Sequence, residues 1–233
     1  MKKSIGILGG MGPMATADIF TKIVAHTKAN TDSGHIRIYI DNDPAIPDRT
    51  GAILAGGPDP VPEMTAALRN LESCGADCIL LPCNTAHYFL PRLQAMTDIP
   101  FLSMPEATAR ACAKAFPGKK AGLMATTGTL STGLYEKAME QAGVACAVPE
   151  EEGRKALMRV IYEGVKADAP PESYRADMVF AIENLKAQGA DYFVLACTEL
   201  PLAFSALGLT EAFVDPTLEL ALEAIRFCGY ETK

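Results

Sequence analysis

The chain has 233 residues, 49% of them hydrophobic, with 21 Lys and Arg against 28 Asp and Glu and a formal net charge of −7. That length supports one large domain or two small ones around a buried core, and that hydrophobic share excludes disorder. The acidic balance argues against a nucleic-acid partner, which needs a basic footprint, but leaves room for a small acidic ligand in a locally basic pocket.

Short apolar runs alternate with amphipathic stretches. "SIGILGG" (4–10) predicts a buried strand, and 15–29 a helix with Ile19, Ile23 and Val24 at helical spacing. "HIRIYID" (35–41) alternates like a strand, and 58–75 reads as a loop entering a helix closed by Gly75. "DCILLP" (77–82) is a strand, 106–116 a helix and 120–127 a strand. A helix over 131–143 opens on Ser131 or Thr132, and 146–150 is a short strand and turn. Helices follow over 152–167 and 174–189, then a strand over 191–196 and a closing helix over 216–228. Strands alternating with helices imply an α/β fold with parallel sheets.

The chain repeats itself. Gly75-Ala76-Asp77 and Cys83 recur as Gly189-Ala190-Asp191 and Cys197, 114 residues on. Gly6, Gly12 and Thr16 match Gly122, Gly128 and Thr132, 116 residues on. Ordered matches at nearly one offset predict two homologous halves, a period far longer than a solenoid repeat. Residues 1–100 with 211–233 form the expected first domain and 101–210 the second, with a ligand cleft expected between them.

Both "LPCNTAH" (81–87) and "LACTELP" (195–201) place a cysteine after a strand's apolar run, where ligands of open α/β sheets bind. Two thiols facing one carbon suit proton transfer with inversion, one as thiolate base and the other as thiol acid. The alternative for either cysteine alone is space-filling burial, assigned here to the other five. Asn84-Thr85 and Thr198-Glu199 are expected helix caps, and amide N–H groups at helix starts hold carboxylates. Thr126-Thr127-Gly128-Thr129 offers similar donors, and His87 is placed to tune Cys83. Cys74, Cys78, Cys83 and His87 resemble a metal-ligand string, but five strand residues from Cys78 to Cys83 span roughly 16 Å. "GMGPMA" (10–15) fits a dinucleotide fingerprint, so an NAD-dependent oxidoreductase competes, though it leaves the twin cysteines unexplained.

The cysteine count is odd and lacks the short spacings of a secreted disulfide scaffold. Lys2, Lys3 and the following apolar run mimic a signal peptide, but the run is short and broken at Gly12-Pro13. No stretch has the length of a membrane span. A reduced, cytoplasmic setting is expected.

"GGMGPMAT" (9–16), "PCNTAH" (82–87) and "ACTELPL" (196–202) together resemble the aspartate racemase branch of the aspartate/glutamate/hydantoin racemase superfamily. "NDPAIPDRT" (42–50) and "YEGVKA" (162–167) extend the resemblance over nearly the whole chain. It implies two Rossmann-like halves related by pseudo-two-fold symmetry, homodimers, and racemisation of aspartate or glutamate without pyridoxal phosphate or metal. Carried over by position, Cys83 and Cys197 exchange the proton. Met11 and Gly12 line the cleft, and Asn84, Thr85, Thr127 and Thr198 hold the α-carboxylate. Arg49 and Lys166 bind the side-chain carboxylate, and Glu199 supports the second thiol or the ammonium. A glutamate racemase typically has histidine where Glu199 stands. A non-catalytic acidic amino-acid binder, or a relative running isomerisation or decarboxylation, shares these motifs.

Overall fold

The computed structural model describes residues 2–233. They divide into two compact units, Met1–Ala107 with Thr217–Lys233, and Thr108–Pro216. The first holds β1 (Ile5–Gly9), α1 (Pro13–His26), β2 (Ile38–Asn42), α2 (Arg49–Leu54), α3 (Val61–Ser73), β3 (Cys78–Leu80) and α4 (Leu90–Gln94). The chain leaves it within α5 (Met104–Ala115). The second holds β4 (Ala121–Ala125), α6 (Thr127–Ser131), α7 (Leu134–Gln141), β5 (Cys146–Ala147), α8 (Glu151–Met158), α9 (Pro171–Ala187), β6 (Tyr192–Ala196), α10 (Leu200–Leu207) and β7 (Phe213–Val214). The chain returns at α11 (Pro216–Phe227).

Both sheets are parallel, in the orders β2-β1-β3 and β5-β4-β6-β7. A parallel bridge from Ile79 to Phe101 extends the first sheet past β3, where β7 extends the second past β6. The expected α/β class holds in each unit.

Alternation along the strands assigns their faces. In the first unit Ile5 and Ile7 pack with Ile19 and Ile23 of α1 and with Leu220 and Ile225 of α11. Leu8 turns the other way, onto Met64, Leu68 and Leu71 of α3. Val24, expected on the core face of α1, is exposed instead. In the second unit Phe193 and Leu195 pack on α8 and α9, while Tyr192 and Val194 face Tyr135 and Met139 of α7. Each fully buried Leu, Ile or Phe contributes about 1.5–3 kcal/mol.

The sequence repeat has a steric cause. A Cβ on Gly6 would lie 2.8 Å from Ile79 and 2.9 Å from Ala76. One on Gly122 would lie 3.0 Å from Phe193 and 2.9 Å from Ala190. Each glycine lets its strand close on its neighbour. Asp77 accepts the Ser4 backbone N–H at 2.7 Å, and Asp191 accepts that of Lys120 at 2.8 Å. The repeated Gly-Ala-Asp thus ties each third strand to the start of its first.

In the turn after the first strands the match breaks down. Gly12 is the N-cap of α1, whereas Gly128 lies inside α6, capped by Thr126. Thr16 accepts the Gly10 N–H at 2.9 Å, whereas the Thr132 hydroxyl donates to the Thr129 carbonyl. The first turn of the second unit is shorter, so the Gly12–Gly128 and Thr16–Thr132 pairs are not equivalent.

Two predicted helices differ in extent. The one over 131–143 begins only behind Gly133, as α7, because Ser131 closes a separate short helix, α6, that the sequence does not predict. The segment over 152–167 begins as α8 and widens into a π-helical stretch over Arg159–Val165. Lys166 N–H bonds the Ile161 carbonyl and Ala169 N–H that of Gly164, both at 3.0 Å. Gly164 packs against the Tyr174 ring, where a Cβ would come within 2.6 Å. Among the described residues, no helix is long and apolar enough to cross a membrane.

Candidate active site

Each cysteine continues one face of its strand. Ile79, Leu81 and Cys83 share one apolar cluster of the first unit; Phe193, Leu195 and Cys197 share one of the second. The two cysteines therefore occupy equivalent places, one per unit, just beyond β3 and β6. Both are buried free thiols.

In the first unit, Cys83 N–H donates to the Leu81 carbonyl at 2.7 Å and closes a tight turn. A 3-10 helix, Thr85–Phe89, follows, with Asn84 at its N-cap. Asn84 is buried and makes no side-chain cap bond, contrary to the cap expected from its position. Thr85 is buried beside it.

His87 has a different role from the expected tuning of Cys83. Met104 N–H donates to its Nε2 at 3.1 Å, so Nδ1 carries the hydrogen and donates to the Cys83 carbonyl at 2.9 Å. Both ring nitrogens are spent on backbone, which pins the Cys83 turn to the start of α5. Burial holds the ring's pKa down at about 4, against the pull of the Cys83 and Leu102 carbonyls. The fold keeps His87 neutral, whereas the unfolded chain protonates it near pH 6.5. Its contribution is complete above that pH and is lost as pH falls towards 4. Between pH 7 and 4.5 the loss is about 2 kcal/mol. In urea titrations at both pH values, His87→Gln is expected to show a correspondingly smaller acid loss than wild type. Equal losses would contradict the assignment.

Arg49 opens α2 behind the N-cap Asp48. Its guanidinium donates to the Ile46, Pro47 and Met11 carbonyls at 3.0–3.2 Å. Nε is buried and, among the described residues, has no hydrogen-bond partner. Met11 lies in the Cys83 cluster and is followed by Gly12 at the start of α1. Helix α2 also packs on the 3-10 helix after Cys83. The first unit therefore gathers Met11, Gly12, Arg49, Cys83, Asn84 and Thr85.

Gly10, first glycine of the dinucleotide-like "GMGPMA", is tied up by packing. Its φ is +94°, and a Cβ there would lie 2.1 Å from the Asp43 carbonyl oxygen.

In the second unit, Cys197 Sγ donates to Glu199 Oε2 at 2.9 Å. The Thr198 hydroxyl donates to the same oxygen at 3.0 Å. Lys166 Nζ stands 3.7 Å from Oε1 and 4.7 Å from the centre of the Tyr162 ring. Glu199 is the N-cap of α10 but, contrary to expectation, makes no side-chain cap bond; its carboxylate serves the thiol. Burial first, and the Glu199 charge second, push the Cys197 thiol well above its ordinary range, with Lys166 opposing. Thr127 N–H donates to Met158 Sδ at 3.3 Å. Helix α8 thus reaches Thr127, and the π-helical stretch after it carries Lys166 to Glu199. π-helical turns are rare and concentrate at functional sites.

Among the described residues, no group of three or more His, Cys, Asp or Glu is arranged to hold a metal ion. Cys74 is exposed and Cys78 is buried on the opposite face of β3 from Cys83.

Two α/β units with parallel sheets each carry one buried cysteine near hydroxyl groups and a cation, Arg49 in the first and Lys166 in the second. A family profile described as Asp/Glu/Hydantoin racemase matches residues 8–224, and the chain belongs to that family. The chain is 27% identical over 231 residues to the broad specificity amino-acid racemase RacX of Bacillus subtilis, covering 95% of this chain and 96% of that one. Its fold matches the Picrophilus torridus aspartate racemase with a TM-score of 0.85 at 31% identity, over 99% and 96% of the two chains. A glutamate racemase of Corynebacterium kroppenstedtii is 30% identical over 155 residues, 62% of this chain and 49% of that one.

Proposed function

We propose that this amino-acid racemase inverts the α-carbon of aspartate or glutamate by passing a proton between Cys83 and Cys197, with neither pyridoxal phosphate nor metal. The carrying observation is the equivalent placement of the two thiols, each on the core-facing line of a third strand. One cysteine, as thiolate, takes the α-hydrogen from one face of the substrate. The other, as thiol, delivers its proton to the opposite face, and the reverse reaction exchanges the roles.

The α-hydrogen is weakly acidic, so the carbanion needs stabilisation where its charge develops, on the carboxylate. Donors fixed before reaction do this at low reorganisation cost. Asn84 and Thr85 in the first unit, and Thr127 and Thr198 in the second, are the donors for that group. Met11 and Gly12 bound the site, and Glu199 serves the thiol or the substrate ammonium. Arg49 and Lys166 receive the side-chain carboxylate. Arg49 suits this task because three backbone carbonyls orient its guanidinium while, among the described residues, its buried Nε–H has no acceptor. A cytoplasmic, reducing setting keeps the thiols free, and a homodimer is the proposed assembly.

Chiral chromatography of reactions started from L-aspartate, L-glutamate and L-alanine tests the substrate class. Turnover of the acidic pair is expected to exceed that of alanine, and Arg49→Ala is expected to cut kcat/KM for the acidic pair by ten- to a hundredfold, about 1.4–2.7 kcal/mol, while sparing alanine. Equal losses on all three would remove Arg49 from side-chain recognition. Conversion of no amino acid would remove the racemase reading itself.

A further inference from the structure

We infer that Glu199 holds Cys197 as the proton donor of the free enzyme, so that the resting site is biased towards one direction of transfer, with Cys83 left as the base. This rests on the two-thiol reading above and adds which thiol starts with the proton.

The geometry is confined to the second unit. Glu199 Oε2 accepts from the Cys197 thiol and from the Thr198 hydroxyl at once. A thiolate at Cys197 would lose that bond and bring two negative charges to 2.9 Å in a buried place. Lys166 is the charge that opposes this, but it stands on the far oxygen of the carboxylate. It therefore neutralises Glu199 more directly than it would a Cys197 thiolate. Tyr174 of α9 shares the apolar cluster of this cysteine, and Tyr162 packs against that cluster. The Tyr135 phenol of α7 interacts electrostatically with it. Burial pushes Tyr135 and Tyr174 above their ordinary range, so both stay neutral. These phenols supply no compensating cation. A like charge held this close disfavours ionisation, as does removal from water.

The kinetic consequence has a specific form. Two enantiomers have equal free energy, so kcat/KM is the same in both directions whatever the resting state. A biased resting state makes kcat and KM differ between the enantiomers by one common factor. It leaves their ratio untouched.

The test is a titration of the thiolate. The ultraviolet thiolate absorbance of the wild type minus that of Cys197→Ser isolates this cysteine, followed against pH on the folded full chain. The midpoint is expected well above the ~8.5 of a free thiol. Glu199→Gln is expected to lower it by about 1–2 pH units. Lys166→Met is expected to move it the other way, since it removes the opposing cation. Local loosening of the site would shift both variants in the same direction, towards the free-thiol value, and that outcome overturns the inference. An unchanged midpoint in Glu199→Gln overturns it too. Glu199→Gln should also draw the separate kcat values of the two enantiomers together. These readouts follow a thiol and not turnover, so an enzyme that fails to racemise at all defeats the two-thiol reading, whereas a titration insensitive to Glu199 defeats this inference alone.

Discussion

Cys83→Ser and Cys197→Ser are each expected to lower racemisation by roughly a thousandfold, equally from either enantiomer, while the chain stays folded. A positioned acid or base contributes on the order of 10²–10⁴-fold to proton transfer. Serine keeps the size and the donor of cysteine but ionises far less readily, so it loses the base while keeping the shape. At Cys197 the serine hydroxyl can still donate to Glu199, so the local bonding survives. The losses in kcat/KM match in both directions because the enantiomers have equal free energy, and each loss is large because every turnover uses both groups. Chiral chromatography measures the rates and urea unfolding measures the fold. A variant that retains near wild-type kcat/KM would show that the missing thiol is not needed.

The largest stability effect is expected from Gly10→Ala. The position has a φ of +94°, which an L-residue adopts at a cost of about 1–3 kcal/mol. A collision is added to that strain, because the new Cβ would lie 2.1 Å from the Asp43 carbonyl oxygen. Relieving it means moving the backbone after β2, and such overpacking costs about 1–3 kcal/mol more. The sum is about 2–6 kcal/mol, a large share of the stability of an ordinary domain. Gly75→Ala is the matched control. Its φ of +83° imposes similar strain, but a Cβ there meets nothing within 4 Å. It is expected to cost about 1 kcal/mol. Equal midpoints for the two variants in urea unfolding would show that the Asp43 contact carries no weight.

The strands and most long helices were legible because their burial is written as periodicity. Ile5, Ile7 and Leu8 alternate onto two helical layers, and Gly-Ala-Asp repeats because Gly6 and Gly122 need the same small neighbours. The short helices α2, α4 and α6 are not predicted, and α10 shows in the sequence only as a start at Thr198-Glu199. They have 5–8 residues, too few for a periodic stripe to show. The π-helical turn was illegible for another reason. Its register depends on Gly164 seating the Tyr174 ring of a separate helix, a contact that local spacing does not encode. Side-chain partners were the hardest to read. Asn84 and Glu199 both stand where helix caps usually stand, yet neither side chain makes the cap bond. His87, one turn past Cys83, looked like a tuner of the thiol and bonds the backbone carbonyl instead. Glu199 turns to the thiol and hydroxyl just before it, and His87 also takes the Met104 N–H from 17 residues away, choices among competing partners that spacing alone does not rank.

Solvent deuterium incorporation at early conversion tests two-thiol transfer most directly. A single enantiomer of aspartate or glutamate is incubated in D2O, and product and recovered substrate are separated and weighed by mass spectrometry. The thiol that takes the α-hydrogen faces one side and the solvent-exchanged thiol delivers on the other. Deuterium should therefore fill the α-position of the product while the recovered enantiomer stays protiated. Deuterium appearing equally in both would mean that one base serves both faces, and Cys83 and Cys197 would not be partners in the transfer.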